Sequence, residues 1–386
     1  MQRGKREIHE VGTKESKPRQ HLYIILDDWA CGFSIRKVDL ELDQLIPGGR
    51  NAREAAAALP SACLRFGARQ EPPIYFSDAL GSKILAMQPE EEGRRRPDMG
   101  GLCYDVHERS LNRIPRHSQQ LMPIYFPIGD RLFALGRFSM ELLDLQPLVS
   151  GQPGALSWRK LPDAPVDSMH VFSRAVHPDG KTIFISVNLC INPTTYSFHM
   201  AEDGSFRWEN LGKWKLPFDG YGRFIPELGT WVGVSLYAEE PGRVCSCELA
   251  STTSDCRPEV KYSKEYLFRE DPAEKHLGSS LVYMGGHDRK FCLVECIEVG
   301  NRDHQGNYSF AGDQENRDDQ GHYCNFGEEN VDPPPPVRMF RLTKFSLTID
   351  ENGDLTTGDT RRVRYYKVPN KDMNDLTFAW PLAFWL

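Results

Sequence analysis

The chain has 386 residues, a formal net charge of −7 and 40% hydrophobic residues, enough apolar material for a buried core. The negative balance argues against a general nucleic-acid binder, because phosphate binding needs a basic face. We expect neither export nor membrane insertion, because the first residues lack an apolar signal region and no apolar run approaches about 18 residues. The ten scattered cysteines then indicate reduced thiols and a cytoplasmic or nuclear protein.

The N-terminal part of the chain changes character near residue 20. Residues 1–20 are charged and predict a disordered basic tail, followed by a folded domain over residues 21–386. Residues 21–26 and 33–42 are rich in branched and aromatic side chains and predict two strands. The alanine-rich residues 53–59 predict a helical turn within a loop.

From residue 74 onward a four-strand unit repeats. Its clearest copy, residues 172–217, contains four β-rich segments separated by turn residues, which predicts a four-stranded antiparallel meander. The first hairpin of each unit turns on a glycine, and these glycines recur about every fifty residues. They are Gly81, Gly129, Gly180, Gly229 and Gly286. Units of this length are typical of β-propeller blades of the kelch type.

The number of blades depends on the two ends of the chain. Five units are complete, and the N-terminal segment supplies an incomplete set of strands. Residues 376–386 are strongly apolar, and such a strand is a liability at an exposed edge. We expect it to complete the first blade and close the ring. The prediction is an all-β, single six-bladed kelch-like propeller closed by its C-terminal strand, with seven blades as the alternative.

One polar insert interrupts the last unit. Residues 300–336 lie between its predicted second and third strands and have too few aromatic residues to form a core, so we predict a flexible loop. The insert ends in Pro333, Pro334, Pro335 and Pro336. Polyproline is already extended and binds partners at low entropic cost, so these four residues are candidate partner-binding residues.

Short motifs carry a resemblance to a known family. Residues 26–29 (Leu-Asp-Asp-Trp), the Trp-x-x-Leu-Pro-x-x-Pro of residues 158–165 and the Phe-Ala-Trp of residues 378–380 resemble a grass-expanded plant family of kelch-like proteins of unknown function. The resemblance covers roughly residues 20–386 and implies a propeller in a plant cell. It implies no activity and no catalytic residues. The diglycine of ordinary kelch blades is mostly missing here.

The candidate metal and catalytic residues have simple structural interpretations. Cys245 and Cys247 share one face of a predicted strand, as do Cys292 and Cys296, and we interpret all four as buried structural thiols. Zinc needs about four ligands, and no second pair has suitable spacing. We therefore expect no metal and no cofactor. The adjacent pair of aspartates at residues 27–28 is interpreted as turn capping.

Two arginines have equivalent positions in adjacent units. Arg174 and Arg223 each lie six residues before a hairpin glycine, on the predicted inner strands. If both line the central channel, they form a cationic site for an anion or a carboxylate. The alternative is a structural arginine bonded to neighbouring strand-end carbonyls.

Three functions remain open at the level of sequence. We favour a non-enzymatic protein-interaction module, because propeller loops present a broad binding face. The second hypothesis is an enzyme or a small-molecule sensor that binds an anionic ligand in the channel. The third is the substrate-recognition subunit of a ubiquitin ligase, acting through a separate adaptor.

Overall fold

The computed structural model describes fourteen stretches of the chain. They are residues 19–29, 32–41, 51–67, 75–87, 101–118, 122–189, 192–201, 203–237, 242–249, 257–268, 271–302, 308–309, 337–368 and 381–386. All structural statements below concern these residues. Among them, no helix is long and apolar enough to cross a membrane.

Strands dominate the described residues, and we group them in chain order into six antiparallel sets of four, called units 1 to 6. Units 4 and 5 belong to one ten-stranded sheet, and unit 6 pairs with a fifth short strand. Unit 1 contains β1 (Leu22–Trp29), β2 (Gly32–Val38), β4 (Ala62–Gly67) and β29 (Leu382–Trp385), while β3 (Ala57–Ala58) lies apart from it. Unit 2 contains β5 (Tyr75–Ala79), β6 (Lys83–Met87), β7 (Gly101–Asp105) and β8 (Ser110–Ile114). Unit 3 contains β9 (Ile124–Ile128), β10 (Arg131–Leu135), β11 (Met140–Asp144) and β12 (Trp158–Lys160).

The second half of the chain repeats this pattern. Unit 4 contains β13 (Val171–Val176), β14 (Thr182–Leu189), β15 (Asn192–Met200) and β16 (Phe206–Gly212). Unit 5 contains β17 (Gly220–Ile225), β18 (Thr230–Val234), β19 (Arg243–Cys247) and β20 (Val260–Tyr266). Unit 6 contains β21 (Glu274–Gly285), β22 (Lys290–Val299), β25 (Val337–Ser346) and β28 (Arg362–Lys367).

The remaining elements are short. They are β23 (Asn301–Arg302), β24 (Tyr308–Ser309), β26 (Thr348–Ile349), β27 (Leu355–Thr356), the helices α1 (Asn51–Glu54) and α2 (Gln146–Val149), and 3₁₀ turns at Pro153–Ala155, Ser168–His170 and Gly358–Thr360. The predicted helical turn at residues 53–59 is thus α1, displaced toward the N-terminus. Ala57 and Ala58 instead pair with the edge strand β28, which fixes them as extended backbone.

Turn chemistry explains the regular hairpins. The five glycines predicted to turn the first hairpin of each unit all have positive φ, between 58° and 84°. Only glycine adopts this backbone region without steric cost. The prediction of these five turns is confirmed.

Burial follows the position of a strand within its unit. The second strands are buried on both faces, as β18 shows with all five residues buried. The fourth strands are more exposed, and β20 has only one buried residue among its seven. A strand that is covered on both faces needs a continuous run of apolar residues, whereas a strand with one face in solvent needs apolar and polar residues in alternation.

The C-terminal strand joins the N-terminal unit, as predicted. β29 pairs antiparallel with β1, with Leu22 opposite Trp385 and Ile25 opposite Leu382. His21 and Leu386 exchange two further backbone hydrogen bonds, of 2.7 and 3.1 Å. The strands from the two ends of the chain therefore complete one sheet.

Hydrophobic clusters lie between consecutive units rather than in one central core. Separate clusters join units 1 and 2, 2 and 3, 3 and 4, 4 and 5, and 5 and 6. A further cluster joins unit 6 back to unit 1, with Val282 and Phe340 packed among Leu22, Ile24 and Ala383. Each unit therefore packs against two neighbours.

A buried ionic network ties unit 6 to the loop that carries α1. Arg341 donates two hydrogen bonds to Glu295, of 2.8 and 2.7 Å, and one of 2.9 Å to Glu274. The three side chains are at most 3% exposed. Arg53 of α1 donates to the other oxygen of Glu274 at 3.2 Å.

Candidate functional site

A cavity of about 180 Å³ lies where the six units meet. One edge strand of every unit contributes to its lining, and we call these six strands the cavity strands. They are β29, β5, β9, β13, β17 and β21. The repeated fold therefore brings residues from opposite ends of the sequence to one place.

Both predicted arginines line this cavity, on adjacent cavity strands. β13 and β17 run parallel, and their register places Arg174 opposite Tyr221. The guanidinium carbon of Arg174 lies 5.8 Å from the centre of the Tyr221 ring, and that of Arg223 lies 5.6 Å from the same centre. A cation at this distance is attracted to the ring. Tyr221 therefore contacts both guanidinium groups.

Neither arginine is neutralised by a neighbour. Within the described part of the chain, Arg174 and Arg223 form no ion pair and no hydrogen bond, and the shielded Nε of Arg174 has no acceptor. Bonds from Arg174 to strand-end carbonyls, the alternative considered above, are therefore not found among the described residues. Burial lowers the pKa of Arg174, which reflects the cost of a charge withdrawn from water.

The cavity also contains one acidic side chain and a perturbed phenol. Burial raises the pKa of Tyr221, the two arginines oppose this rise, and Asp78 adds to it. Asp78 lies on β5 of unit 2 and also lines the cavity. Its carboxylate forms no hydrogen bond or ion pair with the described residues. The charges around the cavity are thus two positive and one negative.

The other predicted binding residues cannot be placed. Pro333, Pro334, Pro335 and Pro336 lie outside the described residues. Of the insert at 300–336, the structure describes the short pairing of β23 with β24, and β22 pairs with β25 on either side of it. The predicted tail at residues 1–20 lies outside the described residues except for its last two.

The cysteine pairs lie in apolar surroundings, as interpreted from the sequence. Cys245 and Cys247 belong to the cluster between units 4 and 5, and Cys292 and Cys296 to the cluster between units 6 and 1. Burial raises the pKa of Cys247 and of Cys292 to about 12. The described residues contain no group of three or more side chains arranged to hold a metal ion.

The aspartate pair of the first hairpin differs from its interpretation as turn capping. Asp28 accepts hydrogen bonds from Nε and Nη2 of Arg36, across the β1–β2 pair. Arg36 also donates to the carbonyl of Pro60 at 2.5 Å. Asp28 therefore fixes a buried arginine that anchors the loop before β4.

Sequence reasoning missed an apolar patch at one end of unit 3. Met122, Phe138 and Met169 are 49%, 51% and 57% exposed. The three lie respectively just before β9, between β10 and β11, and after β12, which places them at the same end of the sheet. We call them the unit 3 patch. Their spacing of 16 and 31 residues gave no periodic signal in the sequence.

A family model described as "Protein of unknown function (DUF1668)" matches residues 19–365. The chain belongs to the DUF1668 family. No curated protein matches it.

Several solved structures resemble this DUF1668 chain at low identity. A functionally unknown protein from Desulfotomaculum acetoxidans is 11% identical, with a TM-score of 0.39 over 89% of this chain and 99% of that one. The N-terminal domain of Nup159 is 11% identical, with a TM-score of 0.32 over 87% and 85% of the two chains. The Dos1 propeller is 12% identical, with a TM-score of 0.31 over 92% and 77%.

Proposed function

We propose that this DUF1668 protein is a six-bladed, kelch-like β-propeller that acts as a non-enzymatic protein-interaction module. The fold part of the proposal is supported by the six inter-unit clusters, the last of which packs unit 6 against unit 1. It is also supported by the cavity, to which every unit contributes one strand. We also propose that the protein acts in the cytoplasm or nucleus of a plant cell, because residues 158–165 and 378–380 resemble motifs of kelch-like plant proteins.

The unit 3 patch is the observation that carries the function. Large exposed apolar side chains that lie together mark binding surfaces. Asp167 fixes the backbone near two of these side chains. Met169 donates its N–H to Asp167 at 3.0 Å, and Arg137 contacts the other oxygen of Asp167 at 3.3 Å. The backbone at this part of the patch is therefore fixed by hydrogen bonds and an ion pair.

Backbone strain at the unit 3 patch supports the same conclusion. Met122 and Phe138 have φ values of 40° and 53°, a region that costs side chains other than glycine about 1 kcal/mol or more. Both residues remain exposed despite this cost. A function that needs these side chains on the surface explains why glycine does not replace them.

The unit 3 patch indicates the chemistry of the partner. The patch combines one aromatic ring with two flexible thioethers, a set that suits an apolar side chain on a protein segment, because methionine adapts to irregular shapes. Aromatic residues are frequent among the side chains that dominate interface energy. We also propose Pro333 to Pro336 as a second docking element, on sequence grounds alone.

Affinity purification with matched variants tests the proposal. The full chain, the triple variant Met122→Ser, Phe138→Ser and Met169→Ser, and a control variant carry the same tag and are mixed with plant extract. The control is Val149→Ser with Ile349→Ser, at residues that are 62% and 47% exposed. Each follows the third strand of its unit, at the end of the sheet opposite to the end that bears the patch in unit 3. Bound proteins are quantified by mass spectrometry.

A partner that is kept by the control and lost by the triple variant supports the interaction module. A partner kept by both variants would show that the unit 3 patch does not carry the binding. An adaptor subunit of a ubiquitin ligase among the lost proteins would favour the substrate-recognition hypothesis. Absence of any partner in all three preparations would contradict the proposal.

A further inference from the structure

The cavity contains a charge arrangement that the interaction module does not use. Arg174 and Arg223 both line it, and neither has an anionic partner among the described residues. A buried arginine nitrogen without an acceptor costs free energy that a bound acceptor would recover. The shielded Nε of Arg174 is such a nitrogen. These observations indicate a site for an oxyanion supplied from outside the chain.

The geometry favours a planar anion. Guanidinium groups present their donors in a rigid fork that matches a carboxylate. The two guanidinium carbons lie 5.8 and 5.6 Å from the centre of the Tyr221 ring, and both arginines line the same cavity.

The charge balance favours a single negative charge. Asp78 lines the cavity together with the two arginines, and it is close enough to Tyr221 to raise the pKa of that phenol. The charges of the described lining residues therefore sum to one positive charge. A dianion such as phosphate would leave the cavity negative and would lie in the field of Asp78.

The rest of the lining favours an apolar body on the ligand. Phe76 of β5 and Leu382 and Phe384 of β29 line the cavity. Units 1 and 2 supply these strands and units 4 and 5 supply the arginines, so the apolar and the cationic parts of the lining come from different units. The volume of about 180 Å³ exceeds the roughly 150 Å³ that is known to hold benzene.

We propose that the cavity binds a small monocarboxylate, with the carboxylate between Arg174 and Arg223 and a compact apolar body against Phe76, Leu382 and Phe384. Both arginines contribute charge-assisted hydrogen bonds, and the apolar body displaces water from the opposite wall. This ligand site is separate from the unit 3 patch. Failure of the partner experiment would not contradict the ligand site, and failure of the ligand experiment would not contradict the interaction module.

Isothermal titration of the purified full chain tests the site with four compounds. Benzoate has both the carboxylate and the apolar ring. Acetate lacks the ring, benzamide lacks the charge, and inorganic phosphate adds charge without an apolar body. We expect benzoate to bind at least about tenfold more tightly than the other three, which corresponds to one charge-assisted contact or one buried ring.

Matched variants assign the binding to the arginines. Arg174→Gln with Arg223→Gln should weaken benzoate at least about tenfold. The control is Arg65→Gln with Arg113→Gln, which removes the same charge from exposed positions on the outer strands β4 and β8 and should bind benzoate like the wild type. Circular dichroism verifies the fold of each variant. If the double variant does not fold, the single variant Arg223→Gln, at an exposed position, is measured instead, and it should weaken benzoate binding by the same factor.

Three results would overturn the proposal. One is benzoate binding that the arginine substitutions leave unchanged. Another is phosphate that binds as tightly as benzoate, which would contradict the single charge and the apolar wall. The third is no measurable binding of benzoate by the folded wild-type chain.

Discussion

Removal of Arg341 is predicted to be the most damaging single change in unit 6. Arg341→Met keeps the length and apolar stem of the side chain but leaves Glu295, which is fully buried, without its two strongest donors. Glu274 loses one donor and keeps Arg53 and the hydroxyl of Tyr365. The deficit therefore falls mainly on one carboxylate.

The magnitude follows from the desolvation of that carboxylate. Breaking a buried ion pair by removing one partner costs about 3–5 kcal/mol, because the remaining charge stays uncompensated. We therefore expect Arg341→Met to lower the free energy of unfolding by about 3–5 kcal/mol.

Urea denaturation at pH 8, followed by tryptophan fluorescence, measures this loss. Lys344→Met on the same strand is the control, since Lys344 has no ion pair among the described residues, and it should change the free energy of unfolding by less than about 1 kcal/mol. Adding Glu295→Gln to Arg341→Met should restore at least about 1 kcal/mol by removing the stranded charge. A cost below about 1 kcal/mol for Arg341→Met, or no recovery in the double variant, would refute the reasoning.

Three further predictions concern closure, acid stability and packing. Leu386→Ala should cost about 2–4 kcal/mol in urea denaturation, because Leu386 is 2% exposed in the cluster of units 1 and 2, whereas Leu111→Ala, at a 50% exposed position, should cost about 0.5 kcal/mol or less. Burial, aided by Arg116, lowers the pKa of His117 from 6.5 to about 4, so the unfolded chain alone binds this proton between those pH values. Wild-type stability should fall by about 3 kcal/mol more than that of His117→Gln as the pH drops from 7 to 4. Gly222→Ala should lower the melting temperature, because its Cβ would lie 2.2 Å from the Phe218 ring, while Gly154→Ala, with open space around it, should not.

The features that sequence could predict are those set by local chemistry. The hairpin glycines were recognisable because each turn needs a positive φ, which is a property of one residue. The pairing of β29 with β1 was predictable because an apolar strand requires cover, and only the incomplete first unit lacked a strand. This pairing is long-range in sequence but follows from a simple count of strands.

The features that sequence could not predict depend on register and on distant partners. Arg341, Glu295 and Glu274 come from three strands separated by up to 67 residues, and no pattern links them before the strands are aligned. Tyr221 was missed for the same reason. Its place beside Arg174 is set by the parallel pairing of β13 with β17, and the repeat spacing gives no information on that pairing.

The repeat itself separates a structural role for the two arginines from a functional one. Each lies six residues before the hairpin glycine of its unit, and the residues at the same spacing in units 2, 3 and 6 are Tyr75, Pro123 and Ser280. A requirement of the unit backbone would recur in every unit and would select similar side chains there. Cationic side chains occur at this position in units 4 and 5, on neighbouring strands and beside one tyrosine. An arrangement that the repeat does not require is best explained by a ligand that needs both charges.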